Sequence, residues 1–234
     1  MLSVLALVLA ADGGVSAADY DVARVTLATR REVLARRWAR PGLRNEARRE
    51  ARMAVLDFVD AQAFPAWAGT TWNFYGTSTT PREGAIACGY FVSTVLEHAG
   101  FQVERVKLAQ QASAYIVSTM ARGTHVEWLR YLKPAEVVAR VRERFGDGLF
   151  VVGMDYHVGF LRLDGERVAF CHSSFLEPAV VACEDPQVSA GFASNLYVVG
   201  DALNDAAIDD WLLGRDILTE TPPKGSRLVP IEQR

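Results

Sequence analysis

Apolar positions recur at helical spacing through the first quarter of the chain, and from about residue 148 they give way to short runs of β-forming residues. Val22, Val25, Leu27, Val33, Leu34 and Trp38 stand among charges in a pattern that predicts a helix over 19–40, stopped by Pro41-Gly42. Ala47, Ala51, Val55, Phe58 and Val59 form the apolar side of a second helix over 43–63, so residues 18–63 read as an N-terminal helical hairpin. The stretch WAGTTWNFYGTSTTPREGAIA, within residues 64–87, is rich in Trp, Gly, Thr and Pro and reads as an irregular loop lined with aromatics. Beyond it, Phe91, Val92, Val95, Leu96 and Ala99 stripe a helix that runs from Cys88 to Ala99 and stops at Gly100. A more polar region follows, in which EWLRYLKPAEVVARVRERF reads as helical. Then GLFVVGM, YHVGFLRLDG, ERVAFCHSS, AVVACE and SNLYVVG read as strands, with Asp164-Gly165 a hairpin turn. Helices first and antiparallel strands second predict an α+β fold in which the Cys88 helix packs on the sheet. The main domain then spans 64–218, and 219–234 forms an extended or mobile tail.

Composition changes this picture little. Half of the 234 residues are apolar, enough for one well-buried core, and a formal charge of −3 gives no reason to expect nucleic acid as a partner. The charge is uneven, however: ten arginines between Arg24 and Arg52 face only Glu32, Glu46 and Glu50. Such a face reads as solvated surface or as a contact for an anionic polymer or membrane. The opening LSVLALVLAA is shorter than the roughly 20 apolar residues a membrane span needs, but it suits a signal sequence over 1–17, with Val15-Ser16-Ala17 as the cleavage motif. No basic residue precedes that run. The expectation is an exported protein, periplasmic or extracellular, with no stable membrane insertion.

The candidate chemistry centres on Cys88. Three cysteines without a CxxC pair indicate neither a disulfide framework nor a metal site. Cys171 and Cys183 are either bridged or two buried free thiols, and in both cases Cys88 is left free. A thiol in the first turn of a helix lies beside unpaired backbone NH groups and the positive end of the helix dipole, both of which favour thiolate. That effect lowers a thiol pKa by only about one unit, so an imidazolium is needed as well. His98 lies on the same helix roughly 15 Å away and cannot reach. His125 reads as a surface or capping residue. His157 opens one strand and His172 closes the next, so pairing across Asp164-Gly165 brings them toward one end of a hairpin. Strand alternation then turns Cys171 away from the face of His172.

Three pieces in this order resemble the NlpC/P-sixty family of papain-like cysteine peptidases and amidases that act on bacterial cell-wall peptides: FYGTSTTPREGAIACGYFVSTVLEHAG, GDGLFVVGMDYHVGFL and VAFCHSS. The resemblance spans about residues 67–200. It implies a papain-like fold with Cys88 as nucleophile, His157 as its base, His172 orienting His157, and Tyr75 beside the cysteine at the oxyanion site. It implies no metal or organic cofactor, and a peptidoglycan stem peptide as substrate. Ala87 and Gly89 depart from the Asp and Ser that usually flank the family's cysteine, which marks Gly89 as a residue shaping the substrate pocket. Trp67, Trp72 and Phe74 are candidates for its wall, each equally suited to core packing. Two other readings stand beside hydrolysis of an amide or isopeptide: a Cys-His amidohydrolase or acyltransferase on another amide or ester, and a non-catalytic binding module of the same fold.

Overall fold

The computed structural model describes residues 14–223. Most of the expected signal sequence and the end of the expected tail lie outside them. Helix α1 (Ala17–Trp38) is capped by Ser16, whose Oγ accepts the Asp19 NH at 3.1 Å. A single tight turn, Pro41–Leu43, leads into α2 (Arg44–Phe58). The helical path does not end at residue 63 as predicted. It continues through a π-helical turn, Val59–Ala63, into α3 (Phe64–Trp67). Pro65 is tolerated because it falls in the first turn of α3, where its missing NH breaks no bond of that turn.

The body of the molecule follows as α4 (Cys88–His98), β1 (Gln102–Val103), α5 (Arg105–Ala109), α6 (Ser113–Ala121), β2 (Val126–Arg130) and α7 (Pro134–Phe145). Strands β3 (Gly148–Met154), β4 (Val158–Asp164), β5 (Arg167–Ser173), β6 (Val181–Glu184) and β7 (Leu196–Asp201) come next, then α8 (Asp205–Leu213) and β8 (Asp216–Ile217). The protein is therefore α+β, with a helical hairpin ahead of a six-stranded antiparallel sheet of order β2-β7-β3-β4-β5-β6. The one error of type falls on residues 127–145, which are not a single helix. Their first part is the edge strand β2, paired antiparallel with β7. Tyr131 turns the chain at φ 56°, and Pro134 forces the residue before it out of helical geometry, so α7 begins only there. Glu136 closes its first turn by accepting the Lys133 NH at 2.7 Å.

The sheet is covered on both faces. On one side Phe160 and Val158 of β4 join a core with α4, the hairpin and α8, where Phe91 meets Phe160 edge-on at 6.1 Å. On the other side Leu161, Leu163 and Phe170 pack with Val137, Val138 and Val141 of α7. Several of the N-terminal arginines are spent inside the molecule. Arg48 pairs with Asp209 of α8 at 2.6 Å, Arg52 with Asp205 at 2.7 Å, and Trp38 donates its indole NH to Asp209 at 2.7 Å. Arg162 of β4 reaches Asp60 in the π turn at 2.8 Å. These contacts bind the hairpin to the body. Just past the expected end of the main domain, Thr219 and Glu220 donate their NH groups to Glu104 and to Thr119 Oγ1, at 2.8 and 3.0 Å.

At its far end α4 meets the hairpin through a buried polar cluster. Tyr20 OH lies 3.1 Å from His98 Nδ1 and accepts the Trp67 indole NH at 3.3 Å. Burial, aided by nearby Arg24 and Arg105, holds His98 down at about 3, and burial raises the Tyr20 hydroxyl to about 12. Folded His98 therefore stays neutral where the unfolded chain takes up a proton, and this residue's effect on stability grows as pH falls from 6.5 toward 3. By pH 5 it costs about 2 kcal/mol. Urea unfolding at pH 7 and pH 5 should accordingly show a smaller acid loss in His98→Asn, which keeps a group for Tyr20, than in the wild type. An equal loss in both would refute this account of His98.

Candidate functional site

Cys88 opens α4, and the residue before it, Ala87, is extended with φ −81° and ψ 161° and offers no side-chain cap. The first-turn NH groups are thus left to whatever sits at the helix start. The approach of the chain is fixed by backbone bonds: Ala87 NH to Gly76 O at 2.9 Å, and Ile86 NH to Thr71 O at 2.9 Å. Ser173, at the end of β5, donates to Ile86 O at 2.7 Å and so ties the strand that carries His172 to the segment leading into Cys88. The thiol is half-buried. Burial pushes it up, with the nearby backbone NH groups of Gly89, Val158 and Cys88 itself acting in the opposite direction.

Val158 is the residue after His157, so the thiol lies near the start of the strand that follows the histidine. His157 Nε2 and His172 Nδ1 are 2.6 Å apart, a short bond between two imidazoles. The two rings meet edge to face, and His172 stacks on Phe170 at 4.4 Å between centroids. No hydrogen bond joins the Cys88 sulfur to His157 among the described residues, and His157 Nδ1 is buried without a partner. It is the one ring nitrogen of the pair without a partner among the described residues. Burial, with His172 alongside, pushes His157 down to about 3. His172, fully enclosed, is also lowered by burial, with Glu184 opposing. The resting groups are therefore a neutral thiol and neutral imidazoles, where the sequence pointed to a thiolate and imidazolium pair. The difference arises because the helix end and the imidazoles are all desolvated, which penalises each charge.

Two features of the site were not legible in the chain. Glu184 of β6 stands 3.4 Å from His172 Nε2, and its carboxylate accepts a hydrogen bond from Ser189 Oγ. The register explains it: Cys171 lies opposite Cys183 and His172 opposite Ala182, so Glu184 falls two residues on, on the His172 face. Cys171 and Cys183 are disulfide-bonded, which resolves the open alternative for these residues and leaves Cys88 as the free cysteine. As alternation requires, Cys171 points to the face opposite His172. Gly191, in the turn after Ser189, completes the enclosure, since a Cβ there would fall 2.5 Å from His172 Cε1.

The remaining candidates are scattered. Tyr75 is 84% exposed, its NH bonded to Asn73 Oδ1 and its ring set edge-on to exposed Phe74 at 5.1 Å. Its side chain is not seated on the thiol by any hydrogen bond among the described residues. It lines an open groove of about 590 Å³ along the loop, together with Asn73, Ser78 and Glu83. Trp72 is half-buried against Phe175 at 6.3 Å, and Phe175 in turn lies 5.4 Å from the His157 ring, so this pair does flank the site. Trp67 is wholly buried in the core. Gly89 is buried too, and its surroundings explain it without a substrate: a Cβ would overlap the carbonyl oxygen of Ala109 in α5. His98 lies at the opposite end of α4, and His125 is on the surface, 3.6 Å from Glu127.

If Gly89 serves packing, Gly89→Ala should lower stability by about 1–3 kcal/mol despite the better helix propensity of alanine. Chemical denaturation measures this, and an unchanged or raised midpoint would return Gly89 to the list of pocket residues.

Comparison with protein-family models, with curated proteins and with solved structures finds no match for this chain.

Proposed function

We propose that the protein is a cysteine-dependent hydrolase of amide or isopeptide bonds with a papain-like arrangement of Cys88, His157 and His172. The observation that supports this reading most is the 2.6 Å His157–His172 bond, set just before β4, the strand that packs on the Cys88 helix through Val158 and Phe160. Burying two such rings against each other is costly unless their protons serve a purpose.

In this mechanism His157 Nδ1 takes the thiol proton as Cys88 Sγ attacks the carbonyl carbon, so the charges form only as the reaction proceeds. Oxygen of the tetrahedral intermediate is held by uncapped NH groups at the start of α4. The imidazolium passes the proton to the leaving amine as the C–N bond breaks, which leaves a thioester on Cys88. Water then attacks the thioester, giving its proton to His157, and the thiol is regenerated with release of the acid. His172 holds the His157 ring and its proton arrangement, the part a carboxylate or amide plays in related triads. Trp72 and Phe175 form an aromatic wall beside His157 against which the acyl part of a substrate can lie.

The order Cys, His, His and the segments around them resemble the NlpC/P-sixty family, and stem peptides of peptidoglycan are the substrate class that this resemblance favours. Export fits the same reading. The Cys171–Cys183 bridge suits an oxidising compartment, and no helix among the described residues is long and apolar enough to cross a membrane.

The test is hydrolysis of purified peptidoglycan fragments, followed by the appearance of free amine, with wild type and Cys88→Ala. Turnover should drop by at least about a thousandfold in the variant while its circular dichroism stays unchanged. Equal turnover in the two proteins would end the hydrolase reading.

A further inference from the structure

We propose that Glu184 is a positioning residue that fixes the proton arrangement of the His157–His172 pair, with Ser189 holding its carboxylate in place. The inference rests on the hydrolase reading above, which assigns roles to the two histidines but not to the groups behind them.

The argument is one of donors and acceptors. A neutral imidazole carries a single NH and a single lone pair, so two imidazoles joined by one hydrogen bond have two possible arrangements. In the first, His157 Nε2 donates to His172 Nδ1, and His157 Nδ1 is left with its lone pair. In the second, His172 Nδ1 donates to His157 Nε2, and the proton of His157 must sit on Nδ1. Only the first allows Nδ1, the buried nitrogen without a partner, to accept the thiol proton. The bond between the rings is the same length in both, so the pair by itself does not choose.

Glu184 makes the choice. An ionised carboxylate accepts hydrogen bonds and donates none. Its Oε2 lies 3.4 Å from His172 Nε2, which it therefore favours as the protonated nitrogen. With Nε2 carrying the proton, His172 Nδ1 is the acceptor, His157 Nε2 is the donor, and Nδ1 is free. Ser189 Oγ donates to the same Oε2 and restrains the side chain, which has one flank open to solvent. His172 itself has no freedom to turn away, since it is fully enclosed, stacked on Phe170 and covered by Gly191. The disulfide acts at the same place from the opposite face of the sheet, holding β5 against β6 at the pair that sets Glu184 diagonal to His172. When His157 becomes cationic in the reaction, the same chain of bonds places a negative charge behind it.

Long-range nitrogen–proton NMR correlation spectra of the imidazoles in the full chain read the arrangement directly at pH 7. The wild type should show His157 protonated at Nε2 and bare at Nδ1. In Glu184→Leu this pattern should give way to a mixture or to the reverse, and alkylation of Cys88 by iodoacetamide should slow by about tenfold or more. Glu184→Gln, whose amide oxygen can still accept, should keep the pattern and most of the rate. Two results would overturn the proposal: a wild-type spectrum with the proton on His157 Nδ1, which needs no variant to fold, or wild-type pattern and alkylation rate in folded Glu184→Leu. Failure of the hydrolase reading looks different. It appears as turnover that survives Cys88→Ala, whatever the imidazole spectrum.

Discussion

The pairing of β4, β5 and β6 is the constraint on which the site depends. Phe160 lies opposite Cys171, and Cys171 opposite Cys183, so a slip of one residue in either ladder would send His172 to the other face of the sheet. The Cys171–Cys183 bridge opposes such a slip covalently. Phe160 opposes it from the α4 side, because its ring fits against Phe91 and Phe64. One register therefore serves two purposes: it buries the aromatic core on one face and lines up His172 and Glu184 on the other.

The helix that carries Cys88 is anchored at both ends. Its start is reached by Ser173 through Ile86, and its end is locked to the hairpin by His98, Tyr20 and Trp67. The hairpin is in turn held to α8 and β4 by Arg48, Arg52 and Arg162. A segment whose arginine content suggested either open surface or an anionic partner thus has a structural use for several of its charges. Partly buried pairs of this kind contribute modestly to stability but specify strongly where two elements meet, because each leaves an unpaired charge if the docking shifts.

Burial decides the electrostatics of the site. A helix start and a neighbouring imidazolium would favour thiolate in a wet cleft, yet here the thiol is raised and His157 is lowered, both chiefly by desolvation. In the proposed mechanism the proton then moves during attack, not before it. Such an arrangement protects the thiol from adventitious oxidation and alkylation, since the thiolate is the reactive form. Under the same proposal the direction of the histidine protons matters, because the acceptor must be vacant at the moment of attack.

Much of this was legible in the chain. The helical hairpin, the Cys88 helix and five of the six strands of the main sheet follow from apolar period and turn residues, since those patterns report which side of an element is buried. Alternation alone set Cys171 and His172 on opposite faces, and helical rise alone excluded His98. Where local pattern failed, a partner distant in sequence was responsible. Residues 126–130 became a strand because β7 offered an edge, and the second helix outran its expected end because Phe64 and Trp67 had a core to enter. Gly89, expected at the substrate pocket, has a packing reason that only the approach of α5 supplies. Glu184 and Ser189 carry no motif; they reach His172 through a register that only the folded sheet defines. Residue types and their spacing determined which chemistry the chain contains. The tertiary structure decided how dry that chemistry is and which groups stand behind it, because desolvation and hydrogen-bond direction are properties of packed neighbours, not of sequence order.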